Sequence, residues 1–232
     1  MIIQIEDVAS VGALARRHPT LIALFEALEI DYACKGGRTL RDAAAYAGHD
    51  PNQVLELVRA TAGEPEEDKG TLAELIHQII TDHHKFASDQ AHVILKQLNS
   101  TVDPPEDLRR ITRIFRTLSA AIDTHMLREE RQLFPPIEAL ETHPHRVRFG
   151  SMSRPLLAEF VEHDLVHEWF VRIRELSLRL RSANYPHLDV LDAVDTFDRD
   201  AHRHMHLENN VLIPRVVEME NRLKTAHEEQ RA

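Results

Sequence analysis

A single cysteine, Cys34, excludes an internal disulfide and any cysteine-only metal site. The start, MIIQIEDVAS, lacks a basic segment followed by an apolar core, so no signal peptide is expected. Together these point to a reducing, cytoplasmic setting. No apolar run approaches the length of a membrane span. No stretch alternates β-branched and polar residues, so no strand is expected. Positive charge is also short: 28 Lys and Arg stand against 38 Asp and Glu, for a net charge of -10. That balance argues against nucleic acid and against an anionic membrane as partners. Tyrosine and tryptophan are scarce, at 3 and 1, whereas histidine is abundant, at 16, which raises the expectation of metal binding. The remainder, 43% hydrophobic and 28% charged over 232 residues, reads as a soluble globular chain with room for a small domain and a helical bundle.

Residues 1–61 read as a small helical unit. Short helices are expected at Val8 to Arg17, from Pro19 to about Leu28, from a Thr39 cap through Ala47, and from Asp50-Pro51 to about Ala60. Between the second and third lies Asp31-Tyr32-Ala33-Cys34-Lys35-Gly36-Gly37-Arg38, a loop whose two glycines permit unusual backbone angles. Residues 62–70 crowd Gly, Pro and charge together, as linkers do. Four long periodic segments follow in 71–232: Thr71 to about Leu98, Pro105 to Leu140, Arg154 to Arg181 and Pro186 to Ala226. Pro135-Pro136 should bend or end the second, and Pro214 should kink the fourth. The expected fold is all-α, with an up-down-up-down four-helix bundle after the N-terminal unit.

The bundle stripes carry histidine and glutamate where apolar residues belong. The second runs Ile111, Phe115, Leu118, Ile122, His125, Glu129, Leu133. The fourth repeats the His-x-x-x-Glu pair as His204 and Glu208, and both pairs are followed by apolar residues and proline. Residues four apart share a helix face. An imidazole and a carboxylate on a core face are costly unless a partner, such as a metal ion, satisfies both. The third stripe reads Leu156, Phe160, His163, His167, Phe170. On the first, strict periodicity from Leu72, Ile76 and Ile79 prefers His83 as the inward residue, with His84 toward the edge. Mixed nitrogen and oxygen donors in this number suit two iron ions ahead of manganese or zinc. A bridging oxide or hydroxide would help neutralise them, with positions left for a small diatomic. Asp164, Glu130 and Glu162 flank these positions and are candidates to orient the ligands. His77, His92, His143, His145, His187, His202, His206 and His227 fall off the stripes or in loops and read as solvated.

At these residues the chain resembles the di-iron iron–sulfur cluster repair proteins (the RIC family, of the YtfE, ScdA and NorA type), whose C-terminal domain is hemerythrin-like. Asp31 through Leu40 is similar to the family's DYCCGGxxTL motif, and Leu72–His84 to its first bundle helix. His125-Met126-Leu127-Arg128-Glu129-Glu130, Glu162-His163-Asp164 and Leu207 through Leu212 resemble the other three. The resemblance implies metal ligands at His84, His125, Glu129, His163, His204 and Glu208, with the glutamates bridging two irons, and so selects His84 over His83. Where the family has two adjacent cysteines this chain has Ala33 and Cys34, leaving Cys34 as a lone candidate redox thiol. His167 creates a His163-x-x-x-His167 pair similar to that of oxygen-binding hemerythrins and is a candidate seventh ligand.

The function this implies is a stress-response protein of the cytoplasm. It would help repair damaged iron–sulfur clusters, binding or reducing nitric oxide as a di-iron oxidoreductase, with proteins carrying damaged clusters as partners. A hemerythrin-like carrier or sensor of dioxygen or nitric oxide, without turnover, is the alternative. The N-terminal unit can dock on its own bundle or on a second chain, so a homodimer is an open option.

Overall fold

The computed structural model describes residues 5–68, 70–144, 152–186 and 188–229. His145 and His187 lie outside the described residues, as does the side chain of His227. Four short helices come first: α1 (Val11–Arg17), α2 (Leu21–Ala27), α3 (Leu40–Tyr46) and α4 (Pro51–Thr61). Capping chemistry fixes three of their starts. The side chains of Ser10, Thr39 and Asp50 accept first-turn N–H groups of α1, α3 and α4, and Pro51 opens α4 where no donor is needed. Val11, Leu14, Leu21, Phe25, Leu40, Val54 and Val58 close these helices over one apolar core.

Four long helices follow: α5 (residues 72–100), α6 (106–142), α7 (Ser153–Ser182) and α8 (188–229). A capping box between Thr71 and Glu74 starts α5. Three of the four change winding once, in π turns at Ile79–His84, Glu129–Leu133 and Leu207–Leu212. α7 is α-helical throughout. Contacts along their lengths set the directions. Glu141, near the end of α6, accepts from the N–H of Leu72 at the start of α5 (2.9 Å). Arg179, late in α7, donates to Asp107, early in α6 (2.9 Å), and Arg181 reaches Asp192, early in α8 (2.7 Å). Successive helices therefore alternate up and down. Among the described residues there is no strand, and no helix is long and apolar enough to cross a membrane.

The prolines do not end α6. It runs through Pro135-Pro136 to Thr142, and α8 continues past Pro214 to Glu229. A π turn stands directly ahead of each. One hydrogen-bond ladder closes there, and proline takes the first turn of the next α segment, where its missing N–H is not missed.

Contacts group the chain into two units, Met1–Gly70 with Met205–Val217, and Thr71–His204 with Glu218–Ala232. In the first, the Asn210 side-chain amide donates to the carbonyls of Tyr32 and Ala33, each at 3.1 Å. A Cβ at Gly12 would lie 2.2 Å from Asn210 Oδ1, and one at Gly36 2.5 Å. Gly36 thus serves close approach. The unusual backbone angles expected of Gly36 and Gly37 are not adopted: the described glycines with positive φ are Gly48 and Gly70. The Tyr32 ring meets His206 edge-on at 5.2 Å.

Candidate metal centre

In the bundle unit, buried histidines converge in two pairs. His84 Nε2 lies 3.3 Å from His204 Nε2, and His125 Nε2 lies 3.1 Å from His163 Nε2. Cis ligands about 2.1 Å from one cation stand about 3.0 Å apart, so both spacings match an edge of a coordination polyhedron. Glu129 sits between the pairs with no exposed surface. Its Oε2 lies 3.4 Å from His84 Nε2 and its Oε1 3.2 Å from His125 Nε2. Each oxygen thus faces a different pair. The donor atoms of His84, Glu129 and His204 fall within 4.8 Å of one another, as do those of His125, Glu129, Glu159 and His163. Glu208 is buried one turn beyond His204 on α8, inside its π turn. Imidazole and carboxylate donors in two buried groups sharing one carboxylate fit a binuclear cation site.

The ring nitrogens turned away from these groups are held by carboxylates. His84 Nδ1 pairs with Glu130 Oε1 at 2.8 Å, and His125 Nδ1 with Glu162 Oε2 at 2.9 Å. Such a partner fixes the tautomer and presents Nε2 as a donor. The hydrogen bond to His125, then that to Arg128, holds the Glu162 carboxyl down at about 2 against its burial. Arg128 bonds both Glu162 and Glu159, the latter at 2.9 Å, and the Glu162 contact raises its own pKa.

The structure separates residues that spacing had left together. His83 is half-buried and pairs through Nδ1 with Asp200 Oδ1 at 3.0 Å, with its ring stacked beside His204. His84 is the one that enters the cluster. His167 Nδ1 faces His202 Nε2 at 3.2 Å, and His202 Nδ1 lies 2.9 Å from Asp198 Oδ1. Asp164 is half-buried. Cys34 is half-buried in the first unit, its Sγ 3.6 Å from Met205 Sδ.

Two histidines read as solvated are buried instead. His202 is held by His167 and Asp198, and His206 is packed on Tyr32, where burial pushes its pKa down to about 4. His77, His92 and His143 are exposed as expected. Phe160, placed on the inward stripe of α7, is 38% exposed. The buried positions there are Leu156, Glu159, His163, Val166 and Phe170. Glu159, which the sequence reading passed over, keeps the 3, 4, 3, 4 spacing that would have found it.

Comparison with known proteins finds two family matches in the chain. The Hemerythrin HHE cation binding domain family matches residues 74–216, and ScdA_N, a domain of unknown function, matches residues 7–61. The chain is 28% identical over 217 residues to the iron-sulfur cluster repair protein YtfE of Escherichia coli O7:K1, covering 89% of this chain and 95% of that protein. The protein of that name from Escherichia fergusonii is matched to the same extent. That of Salmonella schwarzengrund is 27% identical over 218 residues, again covering 89% of this chain and 95% of the other.

Proposed function

Because the chain belongs to the hemerythrin HHE cation-binding domain family, we propose that it is a non-heme di-iron protein of nitrosative and oxidative stress that helps restore damaged iron–sulfur clusters. The observation that carries this reading is Glu129, a fully buried carboxylate with one oxygen toward each histidine pair. In this reading His84 and His204 would hold one iron and His125 and His163 the other, with Glu129 and Glu208 as the carboxylates that would serve both. The printed name of the curated relatives supplies the repair role and, with it, client proteins that carry iron–sulfur clusters. An iron pair bound there would, when reduced, supply electrons and a binding place for a diatomic such as nitric oxide.

The chain's own residues prepare that site. Glu130 and Glu162 hold the Nδ1 atoms of His84 and His125, so both rings stay aimed with Nε2 toward the site. Phe134 stacks on His84 at 5.8 Å and shields that ring from water. Arg128 balances the charge of Glu159 and Glu162 next to the second pair. Binding or reducing nitric oxide is the chemistry this reading assigns to the site, and turnover would make the protein an oxidoreductase. The carrier reading drew its support from His167, which lies against His202, so the proposal uses six ligands.

Metal analysis and spectroscopy of anaerobically purified protein, before and after nitric oxide, test the proposal. Two irons per chain and a changed iron spectrum with nitric oxide are expected. A zinc-loaded protein, or an iron spectrum indifferent to nitric oxide, would reject it. Reversible oxygen binding by the reduced protein would restore the carrier reading.

A further inference from the structure

One histidine pair lies outside the two groups of the candidate metal centre. His167 on α7 and His202 on α8 bring Nδ1 and Nε2 to 3.2 Å, with ring centroids 5.4 Å apart and ring planes at 71°. The two pairs of the candidate centre have the same form. Their Nε2 atoms stand 3.3 and 3.1 Å apart, both sets of centroids 4.9 Å apart, and their planes at 65° and 71°. The likeness extends to the far side of the ring. His84 and His125 are each held at Nδ1 by a carboxylate, and His202 is held there by Asp198 Oδ1 at 2.9 Å. Arg174 Nε lies 3.1 Å from the other oxygen of Asp198. His202 and Asp198 are buried, and the Phe170 ring lies 6.1 Å from that of His202. His167 is half-buried, so water can complete a coordination shell on its side.

We propose that His167 and His202 form a separate, exchangeable site for one divalent transition-metal cation of the imidazole-preferring class, such as zinc(II). Their nitrogen spacing is an edge of the coordination polyhedron around a cation about 2.1 Å from each. Asp198 aims Nε2 of His202 at that place, as carboxylates behind ligating histidines do. The site does not extend the candidate dinuclear centre. His167 is a full turn beyond His163, about 6 Å along the axis of α7. His202 is two residues before His204, which turns the two side chains about 160° apart on an α-helix. The donors differ as well. Two imidazoles without a carboxylate oxygen suit zinc, copper or nickel ahead of magnesium or manganese. With no anionic donor of its own, the site holds a cation less tightly than a place facing Glu129 does, and water fills its other positions. The competing occupant of the gap is a proton, in a hydrogen bond between the two imidazoles.

Stepwise addition of zinc(II) to the full-length protein, carrying the metal with which it is purified, tests this by chelator competition. One further zinc per chain is expected, with nitrogen neighbours about 2.0 Å away in zinc K-edge absorption. His167→Ala should lose that one equivalent. Its content of the metal already held should match the parent's, and without zinc it should melt within a few degrees of the parent. Asp198→Asn keeps the shape and should bind the further zinc about 10- to 100-fold more weakly. The decisive readout is a difference of one cation between the parent and His167→Ala, so it does not depend on which metal fills the dinuclear centre. Equal zinc binding by the two would place the added zinc on exposed histidines and overturn the proposal. So would a parent that takes up no further zinc, which would leave the pair as hydrogen-bonded imidazoles. Undiminished affinity in Asp198→Asn would overturn the positioning role of Asp198.

Discussion

Glu162 shows how much of the proposed metal site lies outside its ligands. Its carboxylate holds His125 by Nδ1 and is itself held by Arg128. Replacing it with Gln keeps the shape and removes the charge. Iron affinity should fall about 10- to 100-fold, read by competition with a chelator, because outer partners of ligating histidines contribute on that scale. Unchanged affinity would show that His125 needs no such partner. Glu208 tests the proposed bridge more severely. Glu208→Leu should lose iron and any nitric oxide response, and two irons retained per chain would reject the bridging role. Both glutamates stand out in the sequence, Glu208 by sharing the spacing of Glu129, and Glu162 by adjoining a histidine of the stripe. His202 did not, because it meets His167 on another helix, and single-helix spacing cannot report a contact of that kind, although Asp198, four residues earlier on the same helix, is within its reach.

Helix positions were legible to within a few residues, because caps, prolines and apolar stripes are local signals. The π turns were not read, although they left a mark. An α-helical stripe alternates steps of three and four. The buried run His125, Glu129, Leu133, Ile137 takes three fours in succession, and so does His204, Glu208, Leu212, Val216. On α5 the buried run steps by five, from Ile79 to His84, across the first π turn. That extra residue is why strict periodicity selects His83 while His84 takes the inward slot. A π turn acts as one residue inserted into an α-helix. Deleting exposed Thr81 should therefore restore plain α winding with His84 four residues after Ile79 and the downstream core in register. The variant should fold and melt within a few degrees of the parent. Deleting exposed Ser88, outside the turn, rotates everything beyond it by about 100° and should leave the protein unfolded or far less stable. Equal melting temperatures for the two deletions would contradict this account of α5.

At the scale of the whole molecule, metal and fold are coupled. Several titratable groups are buried at the centre, and in the proposed reading a cation would bind the folded chain alone. Stripping the metal should lower the melting temperature, and readdition should recover it. At a free metal concentration about a thousandfold above Kd the difference corresponds to about 4 kcal/mol. Identical melts for the loaded and stripped protein would mean that the site contributes nothing to stability. The Asn210 contact bears on the order in which the chain is made. Gly12, Tyr32 and Gly36 leave the ribosome early, and the side chain that fills their face is 178 residues further on from Tyr32. At roughly 5–20 residues per second of synthesis, that face stands open for about 10 to 35 seconds. Throughout that interval the face around Gly12, Tyr32 and Gly36 lacks the Asn210 side chain that fills it in the finished chain, so the N-terminal helices complete their packing only after residues 205–217 are made.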